Sequence, residues 1–305
     1  MPRVSIVLAT HNQARWLPET IASVRAQTLT DWELLLVDDG STDDTAEVAA
    51  RAVTDKRIRY LPGARRERAA ARNRGIAAAK SNLVAFLDGD DLWHPEKLAR
   101  QTAALEAVPD AGLCYTVARY VDAAGARLRI RRPPVPLEGE IFPALMRANR
   151  MILASVLVRQ SALDEAGAFD ERLPVFGCED WDLWLRIARF FPVVAVRDEL
   201  TYYRRHAGNT ARARVLESGL AVVDKHYADP TTPAIARLSC SAARARLLWY
   251  HAGAAVEDRR TTGLALAARA VAAAPSSLAS RPAAGALATL ALPKLVLRAL
   301  GRLPG

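Results

Sequence analysis

The alternation of short apolar runs with helix-like segments over the first 90 residues restricts the possible fold more than any other feature of this sequence. The apolar runs are Val4–Ala9, Glu33–Val37 and Asn82–Leu87, and Arg57–Leu61 is a shorter predicted strand. The helical patterns between them are Gln13–Gln27, Thr42–Val53 and Arg65–Lys80. Continuous apolar runs are typical of parallel strands that are buried on both faces. The sequence therefore predicts βαβ units and an α/β fold, with a Rossmann-like, mostly parallel central sheet flanked by helices.

The pattern changes after residue 90. Pro95 is expected to open a helix that runs to about Val108, because proline is tolerated in the first helical turn. Further strand-like or helical segments are Leu113–Val121, Phe142–Ala148, Ile152–Val158, Glu179–Phe190, Val193–Val196 and Leu200–Arg204. From about Ala211 the sequence is rich in alanine, leucine and arginine, a helical composition. We therefore expect an α/β domain over 1–210 and a basic helical region over 211–305.

The formal charge of +9 is concentrated in the last third of the chain. Residues 211–305 contain 13 Lys and Arg against 5 Asp and Glu, a net +8. This excess indicates either a diffuse basic surface or an anionic partner. The three cysteines, Cys114, Cys178 and Cys240, are far apart and form no CxxC pair, which favours a reducing compartment. The first apolar run is too short for a signal peptide, so a cytoplasmic location is expected.

Two aspartates follow the second predicted strand, in the segment VDDGSTD at Val37–Asp43. Ligands of open α/β sheets bind beyond the carboxyl ends of the strands. Asp38 or Asp39 can therefore accept hydrogen bonds from a nucleobase or a ribose. The alternative is a capped turn in which Ser41 or Thr42 is the N-cap of the next helix.

Three carboxylates follow the fourth predicted strand, in the segment DGDD at Asp88–Asp91. Carboxylates this close repel one another unless a cation compensates them. Magnesium typically binds one or two carboxylates together with substrate phosphates. The segment thus indicates a divalent cation site beside a diphosphate, and the alternative is a plain acidic turn before the Pro95 helix.

A third acidic segment, GCEDWD at Gly177–Asp182, opens a predicted helix. The helix dipole keeps a carboxylate in the first turn ionised, as a general base must be. Acidic residues also occur in first turns for stability alone, so a structural role stays open. Trp181 and Trp184 offer either a ring face for a sugar or side chains for the core.

Taken together, these motifs resemble those of the family-2 glycosyltransferases, which have the GT-A fold and use nucleotide sugars. The resemblance extends over the first two thirds of the chain. The matching stretches are VSIVLATHN at Val4–Asn12, LLLVDDGSTDDT at Leu34–Thr45, ARNRGI at Ala71–Ile76, VAFLDGDDLWHPEKL at Val84–Leu98, GCEDWDLWLRIA at Gly177–Ala188 and YYRRHAGNT at Tyr202–Thr210.

The resemblance implies a role for each matching position. The residues expected to bind the nucleotide sugar are Thr10, Asp38, Asp39, Arg72, Asp88 and Asp90. The expected metal ligands are Asp90, Asp88 and His206, with Asp91 supporting Asp90; a purely structural role for His206 stays open. Asp180 is the expected catalytic base, with Glu179 beside it.

The implied reaction is an inverting sugar transfer that depends on manganese or magnesium, with a UDP-sugar as the favoured donor. The acceptor would be a saccharide or a lipid-linked saccharide, as in cell-surface polysaccharide or glycolipid synthesis. A sugar nucleotidyltransferase is the first alternative, but Ala9–Gln13 is not the glycine-rich loop that such enzymes usually carry. A nucleic-acid-binding protein is the second, although the basic region contains no recognisable nucleic-acid motif, so no nucleic-acid partner is expected.

The segment Ala283–Leu300 is apolar but contains Pro293, Lys294 and Arg298. On a helix, Lys294, Arg298 and Arg302 lie on one side. That pattern predicts an amphipathic helix lying at an anionic membrane surface, the inner face of the cell membrane, rather than a membrane span. The alternative is a helix that packs on the chain's own catalytic domain.

Overall fold

The computed structural model describes residues 1–129, 135–173, 177–208, 212–254, 260–279, 282–283 and 286. The chain forms two compact units. The first comprises Met1–Ile141, Arg150–Arg172 and Asp180–Asn209, and the second comprises Phe142–Asn149, Leu173–Glu179 and Thr210–Gly305. The domain division at residue 210 stays a prediction, since two short segments from before that position cluster with the second unit.

The first unit is built on an eight-stranded sheet. Its strands are β1 (Val4–Thr10), β2 (Trp32–Asp38), β3 (Ile58–Leu61), β4 (Leu83–Asp88), β5 (Leu92–Trp93), β6 (Leu113–Val121), β7 (Val156–Arg159) and β8 (Val193–Arg204). Their order is β3-β2-β1-β4-β7-β6-β8-β5. The pairs β3–β2, β2–β1, β1–β4 and β6–β8 are parallel, while β7 is antiparallel to both of its neighbours and β5 to β8. The prediction of a mostly parallel α/β sheet is confirmed.

Helices flank this sheet and make up most of the second unit. Their bounds are α1 (Leu17–Arg25), α2 (Thr45–Ala52), α3 (Arg68–Ala78), α4 (Lys97–Ala107), α5 (Phe142–Leu145), α6 (Gln160–Ala166), α7 (Glu179–Ala188), α8 (Arg212–Ala228), α9 (Ala234–Ala254) and α10 (Arg260–Ala273). One expectation needs correction, because Val193–Val196 and Leu200–Arg204 belong to one continuous strand. β8 stays paired with β6 through two register shifts, so the polar residues between the two segments do not end it.

Burial of the strands explains their near-continuous apolar sequence. Every residue of β1 and β2 is buried, as expected for parallel strands covered on both faces. Helix α3 packs against these two strands at Gly75. A Cβ atom added there would lie 2.3 Å from Cγ1 of Val7 and 3.2 Å from Cγ2 of Val37. The missing side chain therefore lets the helix lie close to the strands that carry the site.

The described part of the second unit is mostly helical, as its composition predicts. Its core contains small side chains around Trp249, among them Ala245, Ala267 and Ala270. The indole Nε1 of Trp249 donates a hydrogen bond to Oγ of Ser277 at 3.0 Å. Among the helices described, none has both the length and the apolar character needed to cross a bilayer. The predicted interfacial helix over Ala283–Leu300 lies almost entirely outside the described residues.

The first unit contains a buried lysine, Lys97. The side chain of Lys97 is fully buried, and its Nζ donates a hydrogen bond to Oε1 of Gln101 at 2.6 Å. The same Nζ lies 4.0 Å from the ring centroid of Trp93. Burial disfavours the ammonium form and lowers the pKa of Lys97 from 10.5 to about 7.

This pKa makes stability depend on pH. Above about pH 7 the unfolded chain keeps a proton that folded Lys97 has released, so the free energy of unfolding should rise with pH by at most about 1.4 kcal/mol per unit. Lys97→Met removes this contribution, and its stability should rise less between pH 7 and 9 than that of the wild type. Urea unfolding across this range measures the difference. Lys80→Met, at an exposed position, is the matched control. Parallel curves for wild type and Lys97→Met would contradict the prediction.

Candidate active site

The sheet topology brings the predicted site residues to one edge. In the parallel register Thr10 pairs with Asp38 across β1 and β2, and Ala9 pairs with Asp88 across β1 and β4. The carboxyl ends of these three strands therefore lie side by side. Two antiparallel pairings, through β7, give β6 and β8 the same direction as β4. The end of β8, followed by His206, consequently lies at this same edge.

Asp38 is buried at the end of β2 and accepts hydrogen bonds from two residues. Its Oδ1 accepts hydrogen bonds from the backbone N and the Oγ of Ser41, at 2.9 and 2.6 Å. Its Oδ2 accepts one from the hydroxyl of Tyr60 at 2.8 Å. Burial, followed by the hydrogen bond and charge of Asp38, raises the pKa of Tyr60 to about 12. Nothing in the sequence around Tyr60 singles out this residue, because its partner lies on the neighbouring strand.

The alternative in which Ser41 or Thr42 is the N-cap of the next helix is wrong. Helix α2 begins at Thr45, and its N-cap position is Asp44 rather than Ser41 or Thr42. The backbone N of Thr42 instead donates to Oδ1 of Asn12 at 2.7 Å. Ser41 and Thr42 thus belong to the loop between β2 and α2, where they contact Asp38 and the β1 end.

Asp39 secures the loop that precedes α3. Its Oδ2 accepts from Nη1 of Arg65 at 2.8 Å, and its Oδ1 accepts from the backbone N of Arg66 at 2.7 Å. Gly40 has a φ of +72°, and a Cβ added there would lie 2.7 Å from the backbone N of Arg65. The glycine is therefore required by both its backbone conformation and the close approach of this loop. The nucleotide-binding role of Asp39 stays a prediction.

Arg72 and Asp88 form an ion pair at the end of β4. Nη2 of Arg72 lies 2.8 Å from Oδ1 of Asp88. The arginine side chain is only 3% exposed, while that of Asp88 is 29% exposed. The guanidinium of Arg72 also lies 5.5 Å from the ring centroid of Phe169. The structure thus brings together two residues expected at the nucleotide sugar and leaves the carboxylate partly accessible.

Asp90 and His206 are in direct contact, although 116 residues separate them. Oδ2 of Asp90 lies 2.8 Å from Nε2 of His206. The backbone N of Gly208 donates to Nδ1 of His206 at 3.0 Å. In a neutral imidazole the proton is therefore on Nε2 and points to Asp90. The ring of Trp16 stacks on His206 with 5.3 Å between centroids. Two of the three expected metal ligands are accordingly adjacent.

Asp91 differs from its two acidic neighbours because it is 1% exposed. Its Oδ1 accepts from the backbone N of Arg204 at 2.9 Å, while its Oδ2 has no hydrogen-bond partner among the described residues. Burial, and then the charges of Asp90 and Asp88, raise the pKa of Asp91 well above its usual value. Asp91 therefore attaches the acidic turn to β8.

Arg204 lies at the site and within the YYRRHAGNT motif, but the motif indicated no role for it. Its side chain is 1% exposed at the end of β8. Nε donates to the backbone O of Asp90 at 2.9 Å, and Nη2 contacts Oε2 of Glu19 at 2.6 Å. Its guanidinium lies 4.6 Å from the ring centroid of Trp16. Arg204 thus holds the acidic turn against α1 and β8.

These residues fit a divalent cation that also binds substrate. The described residues include no cluster of three or more His, Cys, Asp and Glu side chains arranged to hold a metal alone. Carboxylate oxygens at Asp88 and Asp90 suit manganese or magnesium, and magnesium usually completes its coordination with water and substrate phosphates. An incomplete protein ligand set is therefore consistent with a cation that arrives with a diphosphate.

The two acidic candidates on α7 have different surroundings. Asp180 is partly exposed, and its Oδ1 accepts from the backbone N of Trp181 at 2.7 Å. Glu179 is 4% exposed, and its Oε2 accepts from the backbone N of Gly177 at 2.9 Å. Trp181 and Trp184 are 1% and 0% exposed, so both indoles belong to the core and neither offers a face to a sugar.

An open, mostly parallel sheet with acidic side chains gathered at its carboxyl edge is the arrangement of an α/β protein that binds ligands beyond its strand ends. The sequence pattern described as Glycosyl transferase family 2 matches residues 5–165. The chain belongs to this family of glycosyltransferases. The resemblance found from the motifs is confirmed, and so is the expected fold.

Individual relatives agree with this assignment. The chain is 31% identical over 206 residues to an uncharacterized glycosyltransferase of Rickettsia felis, in an alignment that covers 68% of this chain and 33% of that protein. It is 29% identical to the O-antigen biosynthesis protein RfbC of Myxococcus xanthus, over 74% of this chain and 18% of RfbC. The chain therefore spans a third or less of the length of these two relatives.

Among solved structures, the chain is similar to the mannosyltransferase PcManGT from Pyrobaculum calidifontis in complex with GDP-Man and Mn²⁺. The TM-score is 0.65 with 23% sequence identity, over 99% of this chain and 84% of PcManGT. At this identity the similarity concerns the fold. It identifies the eight-stranded sheet and its helices as GT-A-like.

Proposed function

We propose that this chain is an inverting glycosyltransferase that moves a sugar from a nucleotide-diphosphate sugar to an acceptor hydroxyl, with a divalent cation. The observation that carries the proposal is the pairing of Asp90 with His206 beside the Arg72–Asp88 ion pair, at the carboxyl edge of a family-2 sheet. The name of RfbC supports a role in the synthesis of a cell-surface polysaccharide or glycolipid.

In this proposal the nucleotide lies across the ends of β1, β2 and β4. Thr10 and Asp38 are paired across the first two strands and would contact the nucleoside. Asp39 accepts a hydrogen bond from the neighbouring loop. Arg72 would bind the nucleotide sugar through its guanidinium. Asp88, partly exposed, would lie near the ribose.

The cation would be manganese or magnesium, held by Asp88, Asp90 and His206. When bound, it supplies positive charge against the nucleoside diphosphate that leaves. His206 would have to release its hydrogen bond to Asp90 to become a ligand, because its Nε2 carries the proton in the neutral ring. Asp91 and Arg204 would keep the acidic turn in place throughout.

Asp180 would be the general base. Its carboxylate takes the proton from the acceptor hydroxyl while that oxygen forms a bond to the anomeric carbon. The bond from this carbon to the diphosphate oxygen breaks on the opposite side, and both of its electrons stay with the diphosphate. One such displacement inverts the anomeric configuration and needs no covalent nucleophile. Glu179, more deeply buried, would support Asp180.

A panel of nucleotide sugars tests the proposed function. With manganese present, we expect slow release of a nucleoside diphosphate from one donor even without acceptor, and loss of this release in chelator. UDP-sugars are favoured from the sequence, while PcManGT was solved with GDP-Man, so the panel needs both nucleotides. Release of pyrophosphate from a nucleoside triphosphate and a sugar phosphate would instead indicate the nucleotidyltransferase alternative. Undiminished donor cleavage in chelator would remove the cation from the proposal.

A further inference from the structure

A pocket that is partly open to solvent lies in the first unit, against β6. Its lining residues come from β6, from the chain before β7 and from the segment that begins at Val135. They include Tyr115, Thr116, Tyr120, Pro136, Arg150 and Ile152. The described lining is thus mostly aromatic or apolar, with the guanidinium of Arg150 as its charged group.

The pocket is connected to the acidic turn through two aromatic rings. Tyr120 lines the pocket, and its ring meets that of Tyr203 edge-on with 5.4 Å between centroids. Burial, and then the charges of Asp91 and Asp88, raise the pKa of Tyr203. Tyr203 therefore contacts a residue of the pocket and lies close enough to the carboxylates expected at the donor diphosphate for their charges to act on it.

Arg150 carries the only guanidinium among the described residues of this lining. Its Nε is buried, and no hydrogen-bond acceptor for it is found among the residues that the structure describes. A buried donor without an acceptor is costly, so a ligand that supplies one would be favoured. Arg197, which also acts on Tyr115, has an ion-pair partner in Glu138 at 3.5 Å. Within the part of the pocket wall that the structure describes, Arg150 thus has a guanidinium N–H available to a ligand.

The wall around Arg150 is held in place. The hydroxyl of Tyr115 donates to the backbone O of Leu137 at 3.0 Å and accepts from the backbone N of Leu137 at 2.6 Å. Oγ1 of Thr116 lies 2.9 Å from Oγ1 of Thr201. These contacts join β6 to the segment after Val135 and to β8. The pocket is therefore formed before a ligand arrives.

We propose that this pocket is an acceptor subsite that recognises an anionic sugar, with Arg150 binding its carboxylate or phosphate oxygens. The inference rests on the proposed glycosyl transfer and names the acceptor class for that site. Tyr120, which is partly exposed, would offer the aromatic surface that a sugar ring packs on. A guanidinium binds a carboxylate or phosphate through two parallel hydrogen bonds, which a neutral sugar does not provide.

Binding of glucuronate, glucose 6-phosphate and glucose to the full chain tests the subsite, measured by saturation-transfer NMR with titration. We expect at least one anionic sugar to bind about tenfold more tightly than glucose, and the two anionic probes tell carboxylate from phosphate. Arg150→Gln should weaken that binding about tenfold to a hundredfold, the range expected for a hydrogen bond to a charged group. Arg150→Lys keeps the charge but cannot form the two parallel hydrogen bonds. Its affinity for the anionic sugar should therefore lie between those of the wild type and Arg150→Gln.

Arg197→Gln is the matched control, since it removes a neighbouring arginine that already has a partner. It should bind the anionic probes as the wild type does. Equal binding of glucose and the anionic sugars, no binding of any probe, or equal loss in both variants would overturn the subsite.

Donor cleavage without acceptor separates this inference from the proposed function. A wild type that binds anionic sugars but cleaves no nucleotide sugar would refute the transferase proposal alone. A wild type that cleaves donor while Arg150→Gln binds the anionic probes as before would refute the subsite alone.

Discussion

Asp90→Asn should reduce sugar transfer by about a thousandfold while leaving the fold intact. The amide keeps the size of the carboxylate and can still accept the hydrogen bond from Nε2 of His206, so the local packing survives. The negative charge expected to bind the cation is lost. Metal stabilisation of a leaving group is worth several kcal/mol, and each 1.36 kcal/mol corresponds to a factor of ten in rate.

Transfer rates across a manganese titration, together with circular dichroism, measure this effect. Asp31→Asn is the matched control, because it makes the same chemical change at an exposed residue before β2, at the opposite edge of the sheet. The control should behave as the wild type. Wild-type turnover in Asp90→Asn would remove Asp90 from the metal site.

Asp180→Asn should lower turnover by about 10²–10⁴-fold, the usual contribution of a general base. The amide keeps the shape of the side chain and cannot take a proton from the acceptor. Donor affinity should stay within a few-fold of the wild type, since Asp180 is expected to contact the acceptor. Calorimetry with the donor and steady-state kinetics with the acceptor separate these two quantities.

Neighbouring carboxylates on α7 provide the controls for this substitution. Asp182 is 0% exposed and pairs with Nε of Arg186 at 2.9 Å, so Asp182→Asn should lower thermal stability rather than act on proton transfer. Glu179→Gln tests the adjacent acid. A rate above about a tenth of the wild type in Asp180→Asn would argue against this residue as base, and Glu179 would then be the next candidate.

β1, β2 and β4 could be predicted from the sequence because burial leaves a continuous apolar run, whereas the two-residue strand β5 was not predicted and β8 was expected as two segments. β1 and β2 show this clearly, since all their residues are buried. The position of Asp38 and Asp88 at one edge followed from the parallel pairing alone. Local patterns of this kind need no knowledge of distant contacts.

Two partners of these acids, Tyr60 and Arg65, could not be predicted, since each is supplied by a distant part of the chain. Tyr60 reaches Asp38 from a neighbouring strand, and Arg65 reaches Asp39 from a loop. The sequence shows neither pairing because arginine and tyrosine are common on surfaces. The pocket around Arg150 was equally hidden, because its walls come from three separate segments.

The contacts of Arg204 determine when, during synthesis of the chain, the acidic turn can be held in place. Arg204 bonds to Asp90 and Glu19, which leave the ribosome 114 and 185 residues earlier. The family pattern ends at residue 165, before both Arg204 and His206. A nascent chain of that length already holds the acidic turn but lacks the guanidinium and imidazole that hold it. The acidic turn therefore gains these two contacts only after β8 has been synthesised.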